Sequence, residues 1–169
     1  TFPPFRWQSF EIPFCKTPSK WLATTCYAKC PNTAAYTTRL EKELRIIEEM
    51  GFCAYFVIVA DIIGYTQMHQ IPTIGRGSAA NSLVAYLLNI TEVDPIQYDL
   101  YFERFLNPNR QTAPDIDLDI CWKERLSVIR YIENRYPHTS MIGSLSHFSL
   151  RRAFRDIASC MGLSRTETS

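Results

Sequence analysis

The chain has 169 residues, enough for one compact domain with a real core or a domain plus the start of another, while two full domains would be crowded. Apolar residues make up 46% and charged residues 21%, which excludes a disordered or fibrous chain, and a net charge of +1 points to no particular partner. The longest apolar run, Ala54 to Ala60, is far short of the ~20 residues a spanning helix needs and meets Asp61 at once, so no membrane partner is expected.

The opening "TFPPFRWQSF" lacks a starting methionine and the basic-then-apolar order of a signal peptide, and reads as an internal cut in a longer protein. Residues 1–37 form a lead-in or linker segment, with a short helix expected around Trp21 to Lys29. The six cysteines show no dense framework and several lie in core-like stretches, so reduced thiols in a cytoplasmic protein are expected. Cys26 and Cys30 share one side of that helix, but the three histidines are distant in sequence and a closed zinc site needs four ligands in recognisable pairs, so zinc is not expected.

From Thr38 the pattern sharpens. Thr38 with Glu41 matches a capping box, Leu40, Leu44 and Ile47 keep helical spacing, and Gly51 ends the helix. "AYFVIVA" is short, β-branched, aromatic and apolar on both faces, which predicts a buried strand, and a polar-apolar helix is expected from there to Met68. In "IPTIGRGSAANSLVAYLLNI" the residues Ala80, Leu83, Val84, Leu87 and Leu88 predict a helix beginning near Ser78, preceded by a Gly-Arg-Gly-Ser turn. "YFERFLNPNR" predicts a strand and turn. Residues 123–136 are expected to be helical with Leu126, Ile129 and Ile132 on one side, and "MIGSLSHF" to be a strand. A last amphipathic helix carries Leu150, Ala153, Phe154, Ile157, Ala158 and Met161 opposite Arg151, Arg152 and Arg155. Strands alternating with helices place the chain in the α/β (mixed α+β) class.

Two stretches carry chemistry. In "TAPDIDLDICWK", alternation puts Asp115, Asp117 and Asp119 on one face of a strand and Ile116, Leu118 and Ile120 on the other, while Pro114 favours an extended entry. Carboxylates this close repel unless a positive charge sits among them, and hard oxygen donors at this spacing suit Mg²⁺, the requirement of two-metal phosphoryl transfer. A solvated edge strand is the bland alternative. A calcium loop is not expected, because Ile120 and Leu126 occupy its glycine and glutamate positions.

The second stretch is the Gly-Arg-Gly-Ser turn, whose glycines let backbone N–H groups approach a phosphate and whose Ser78 is placed to cap a helix. It is not a P-loop, since no lysine follows Gly77, but it matches G-x-G-x-x-A from Gly75 to Ala80. Arg76, Arg104 and Arg110 lie where they can converge on a triphosphate. A capping turn and surface ion pairs are the plain readings of each feature alone; together they form the parts needed for nucleotidyl transfer.

"RLEKELRIIEEMGFCAYFVIVADII", "GRGSAANSLVAYLLNITEVDPIQYDLYFERFLNPNR", "PDIDLDI" and "RRAFRDIASCMGL", in this order, resemble the catalytic alpha subunits of bacterial DNA polymerase III, the C-family replicative polymerases, from about Arg39 to Gly162. The resemblance implies an incomplete polymerase-β-like nucleotidyltransferase palm, with the palm's first part at residues 38–147 and the start of the thumb at residues 148–169. It implies that Asp115 and Asp117 are the first two catalytic, metal-binding aspartates, with Asp119 a third acid counted among the metal ligands though of less defined role, and that Gly77 and Ser78 are the glycine-serine nucleotide-binding motif. Arg76, Arg104 and Arg110 match basic residues near the incoming triphosphate. Mg²⁺, a deoxynucleoside triphosphate and primer-template DNA are the implied cofactor and partners; a sliding clamp and other replisome subunits would engage regions absent here. Asn81 in "SAANS", and "PDIDLDI" in place of a phenylalanine-containing version, look more like the family's error-prone, repair-associated branch.

The resemblance also implies that another catalytic carboxylate and the fingers lie outside the chain, so the fragment alone is expected to be inactive. Two other classes compete: a dinucleotide-binding oxidoreductase domain using Gly75 to Ala80 with Glu92 or Asp94 on the ribose, which leaves the aspartate row unexplained, and a non-catalytic remnant binding DNA through the arginines of the last helix.

Overall fold

The computed structural model of the chain describes residues 15–109, 114–136, 139–141, 143 and 147–164, and its contacts divide the chain into two compact units, residues 1–139 and 140–169. In the first unit, α1 (Pro18–Lys29) begins on a proline, tolerated because an N–H in the first turn has no intrahelical acceptor. Leu22 and Cys26, one turn apart, are its buried residues. The helix α2 (Ala34–Glu49) starts earlier than the Thr38 signal predicts: Thr33 is its N-cap, Thr38 lies inside, and Glu41 is exposed, so no capping box forms there. Gly51 ends α2 as expected, with φ +76 and the paired bonds Gly51 N–H to Glu48 O and Phe52 N–H to Ile47 O that close a Schellman turn.

The largest departure is "AYFVIVA", which is not a strand. It belongs to α3 (Cys53–Met68), one continuous helix that also absorbs the polar-apolar stretch after it. A run apolar on both faces suits either a strand between layers or a helix enclosed on most sides, and length decides between them. Only the isolated Gly64 interrupts the 16 residues, which a helix tolerates, and the buried side chains Phe56, Val57, Val59, Ile62 and Ile63 spread around the axis. Tertiary enclosure overrides the β-propensity of the valines and isoleucines.

β1 (Thr73–Arg76) leads into a 3-10 turn over Gly77–Asn81, and only then into the short α4 (Leu83–Leu87). The helix expected from Ser78 is therefore split at Ser82, whose ψ of 124° breaks it; Ser82, not Ser78, caps α4 by accepting from the Ala85 N–H. "YFERF" is not a strand either: Phe102–Arg104 is a 3-10 turn, which allows Phe102, Phe105 and Leu106 all to be buried. β2 (Asp117–Ile120) pairs antiparallel with β1 in the register Thr73 to Ile120, Ile74 to Asp119, Gly75 to Leu118 and Arg76 to Asp117. Helices with a small antiparallel sheet thus make up the fold, compatible with the mixed class expected.

The main core joins Leu22, Leu40, Ile47, Phe56, Leu83 and Phe102 from five segments. Glu43 lies inside it, fully buried. Its carboxylate accepts from Arg39 Nε at 2.6 Å, Ser82 Oγ at 2.9 Å, Leu83 N–H at 3.0 Å and Val84 N–H at 3.1 Å. Arg39 in turn donates to the carbonyls of Asn81 and Leu100 at 3.0 and 2.8 Å. Burial pushes the Glu43 carboxyl up, and these donors act in the opposite sense.

A second polar tie fastens α5 (Arg125–Arg135) to α3. Asp61 accepts from Tyr131 Oη at 2.7 Å, Tyr136 Oη at 2.9 Å and both Nε and a terminal nitrogen of Arg135 at 3.1 and 3.3 Å. The face of α5 turned inward carries Val128 and Ile132; Leu126, expected to share it, is exposed. In the second unit, α6 (Leu150–Cys160) is capped by Ser149, which accepts from the Arg152 N–H. Arg151, Arg152 and Arg155 are exposed on it as expected, but so are Leu150, Phe154 and Ile157, and only Ala158 is buried. The strand expected over "MIGSLSHF" falls largely outside the described residues. All six cysteines are free, and among the described residues no helix is long and apolar enough to cross a membrane.

Two outcomes test these ties. Truncating Glu43 leaves Arg39, Ser82 and two amides without their acceptor, so Glu43→Ala should lower unfolding free energy by about 3–5 kcal/mol in urea melts, whereas Glu41→Ala on the exposed side should change it by less than about 0.5 kcal/mol. Burial, then Asp61, pushes Tyr131 from 10.0 up to about 12, and Tyr136 is raised by the same causes. Folding therefore favours the neutral phenols, and their stabilisation is complete below pH 10 and lost as pH rises towards about 12. Thermal melts between pH 9 and 12 should show that loss, and Asp61→Asn should make it shallower.

Candidate functional site

The acid row stands where the alternation requires. Asp115, Asp117 and Asp119 are exposed, while Ile116, Leu118 and Ile120 are half-buried, the first two against the main core and the last beside Ile62, Ile71 and Val128. The pairing with β1 sets what shares the acids' face. Arg76 is opposite Asp117 and Ile74 opposite Asp119, and both are exposed with them. Arg76 reaches diagonally to Asp119, Nε to carboxylate at 3.0 Å, so one of the three charges already has a counter-ion.

Two glycines fix the approach of β1. A Cβ on Gly75 would lie 1.9 Å from the carbonyl oxygen of Ile90, so only glycine lets that backbone pass. Gly77 has φ +75, the left-handed region, and a Cβ there would meet Asp117 Oδ2 at 3.3 Å. The turn Gly77–Asn81 therefore lies directly against the middle carboxylate. Ser78 follows on it, and Asn81 closes it by donating from its amide to the Ser78 carbonyl at 2.9 Å.

The N–H groups of Leu83 and Val84 at the start of α4 are taken by Glu43, so that helix end is not open to an anion. What the turn offers is its own backbone and Arg76. Arg104 is exposed at the end of the Phe102–Arg104 turn, which packs against the Gly77–Asn81 turn, and its neighbour Glu103 pairs with Lys42. Arg110 lies outside the described residues.

Sequence reasoning missed the residues that hold this arrangement. Glu43 and Arg39 bind the segment 81–84 to α2, and the available signal was a glutamate on the same face as Leu40 and Ile47. Tyr55 of α3 accepts the Ile116 N–H at 3.2 Å, between Asp115 and Asp117, and was hidden by the strand expected there. Burial, then the charges of Asp115 and Asp117, raise its phenol pKa.

Among the described residues no three His, Cys, Asp or Glu side chains converge into a metal site. The donors that fit a hard divalent ion are Asp115 and Asp117, adjacent on one exposed face, with Asp119 drawn to Arg76. A cavity of about 610 Å³ runs along β1, lined by Thr73, Ile74 and Gly75 together with Gln67, Tyr86 and Glu92, and by none of the three aspartates. The geometry also counts against a dinucleotide domain. Gly75 to Ala80 joins a strand of an antiparallel pair to a 3-10 turn rather than opening a crossover helix, and Asp94 is held by Tyr36 and by the amides of Ile96 and Gln97.

The family model described as the bacterial DNA polymerase III alpha NTPase domain matches residues 17–169. The DNA polymerase III subunit alpha of Aquifex aeolicus (strain VF5) is 40% identical over 166 residues, covering 91% of this chain and 14% of that protein. The subunit of the same name from Staphylococcus epidermidis (strain ATCC 35984) is 46% identical over 138 residues, 80% of this chain, and that from Staphylococcus aureus (strain MRSA252) is 46% identical over 134 residues, 78% of this chain. The chain spans 13% of the length of each staphylococcal relative. Long similarity of this kind, running through the acid row, the glycine turn and α6 alike, places the chain in the bacterial DNA polymerase III alpha family.

Proposed function

We propose that this chain is the first part of the catalytic palm of a DNA-templated DNA polymerase, of the nucleotidyltransferase type, with the palm at residues 38–147 and the opening of the thumb at residues 148–169. The observation that carries the reading is the shared face of Asp115, Asp117, Arg76 and the Gly77 turn, which sets paired carboxylates against a cationic, backbone-rich turn. In the whole polymerase the primer 3′ hydroxyl attacks the α-phosphate of a deoxynucleoside triphosphate and pyrophosphate leaves. Asp115 and Asp117 would hold Mg²⁺, which would supply stabilisation of the charge on the attacking and leaving oxygens. Gly77 and Ser78 present backbone to the triphosphate, with Arg76 and Arg104 supplying positive charge and Arg110 assigned the same role by motif position. Asp119 serves as the resting partner of Arg76.

Primer-template DNA is the macromolecular partner, and the exposed arginines of α6 support a contact with its phosphate backbone. Clamp and other replisome contacts belong to the remainder of a full-length subunit. The resemblance of "SAANS" and "PDIDLDI" is what supports placing the chain towards the error-prone branch.

Substitution in the full-length polymerase tests the assignment. Replacing a direct metal ligand should exceed the 10–100-fold that supporting residues cost, so Asp115→Asn and Asp117→Asn should each lower incorporation by about 100-fold or more while primer-template affinity is kept. Retained incorporation in either would overturn the site. Gly77→Ala adds left-handed strain of roughly 1–2 kcal/mol and crowds Asp117, so it should lower incorporation more than Gly64→Ala, where a Cβ meets nothing within 4 Å.

A further inference from the structure

We infer that Tyr55 is a positioning residue for the acid row, a role that rests on the assignment of Asp115 and Asp117 above. The ladder between β1 and β2 ends at the pair Arg76 and Asp117, and among the described residues no strand lies opposite residues 114–116 to set their direction. At that point Tyr55 takes over: the Ile116 N–H donates to its phenolic oxygen at 3.2 Å. The N–H belongs to the peptide plane that joins Asp115 to Ile116, and a planar peptide turns as one body. Holding that amide fixes the direction in which the Asp115 side chain leaves the backbone relative to Asp117.

The anchor is rigid. Tyr55 projects from α3, its ring packs against the main core and lies edge-on to Phe56, and Phe56 is fully buried against Phe105. A hydroxyl carried on an enclosed helix therefore determines the geometry of an exposed pair of carboxylates. The phosphate-facing turn is held by separate groups, Glu43 and Arg39, so loss of the Tyr55 hydroxyl should disturb the carboxylates and leave the turn in place. This predicts a specific kinetic signature.

The experiment compares full-length polymerase carrying Tyr55→Phe with wild type, measuring incorporation against Mg²⁺ and against deoxynucleoside triphosphate. A displacement on the order of 1 Å near reacting groups costs up to about 100-fold, so kcat should fall by roughly 10–100-fold. The Mg²⁺ concentration for half-maximal rate should rise several-fold, with KM for the triphosphate and DNA affinity nearly unchanged. Tyr131→Phe, which removes a phenol bond to Asp61 instead, is the control for general loosening and should leave Mg²⁺ demand at the wild-type value. If Tyr55→Phe matches wild type, or matches Tyr131→Phe in Mg²⁺ demand, the positioning role is wrong. If Asp115→Asn and Asp117→Asn retain incorporation, the palm assignment falls and this role with it; if they abolish it while Tyr55→Phe is silent, the role alone falls.

Discussion

A single buried carboxylate organises the segment on which the candidate site stands. Glu43 enters the core from α2 and meets four donors, and Arg39 beside it reaches two carbonyls on the far side of the turn. An ionised group in such a place is unfavourable unless it is fully paired, so the segment 81–84 is held wherever those donors can all be satisfied at once. Apolar packing alone does not specify that geometry. The same contact uses up the N-terminal amides of α4, and this confines any anion-binding capacity to the turn before it.

From that fixed point the site follows by short steps. The close passage of Gly75 over the Ile90 carbonyl places β1, the register places Arg76 opposite Asp117, and the left-handed Gly77 turns the chain away beside the carboxylate. On the other side the Asp61 tie holds α5 to α3, and Ile62, Ile71 and Val128 fill the space under Leu118 and Ile120. The acids project from a strand whose reverse side is packed, which gives exposed groups a defined direction.

The acid row, its alternation and the glycine turn were legible in the sequence, because each is a local pattern with one physical solution. Asp115 to Ile120 needs only the period of a strand, and Gly51 needs only the left-handed φ of a helix end. The miss at residues 54–60 has the opposite origin: whether seven apolar residues lie between sheets or inside a helical cluster depends on neighbours far away in the chain. The split of α4 from Ser78 is of the same kind, since it is Glu43, some forty positions earlier, that makes Ser82 the helix start. Tyr55 was invisible for the same reason, its partner Ile116 being 61 residues away.

Two arginines show how much context decides the behaviour of one side chain. Arg39 is mostly covered, and its partners are a buried carboxylate and two main-chain carbonyls, so it acts as a rivet whose removal would leave groups stranded. Arg76 and Asp119 are both more than half exposed, in screened solvent, where an ion pair has little hold on either member. Its guanidinium is thus a counter-ion that can change partners at low cost. Of the three aspartates one is matched by Arg76, and the cation that matches it can be won by a stronger anion.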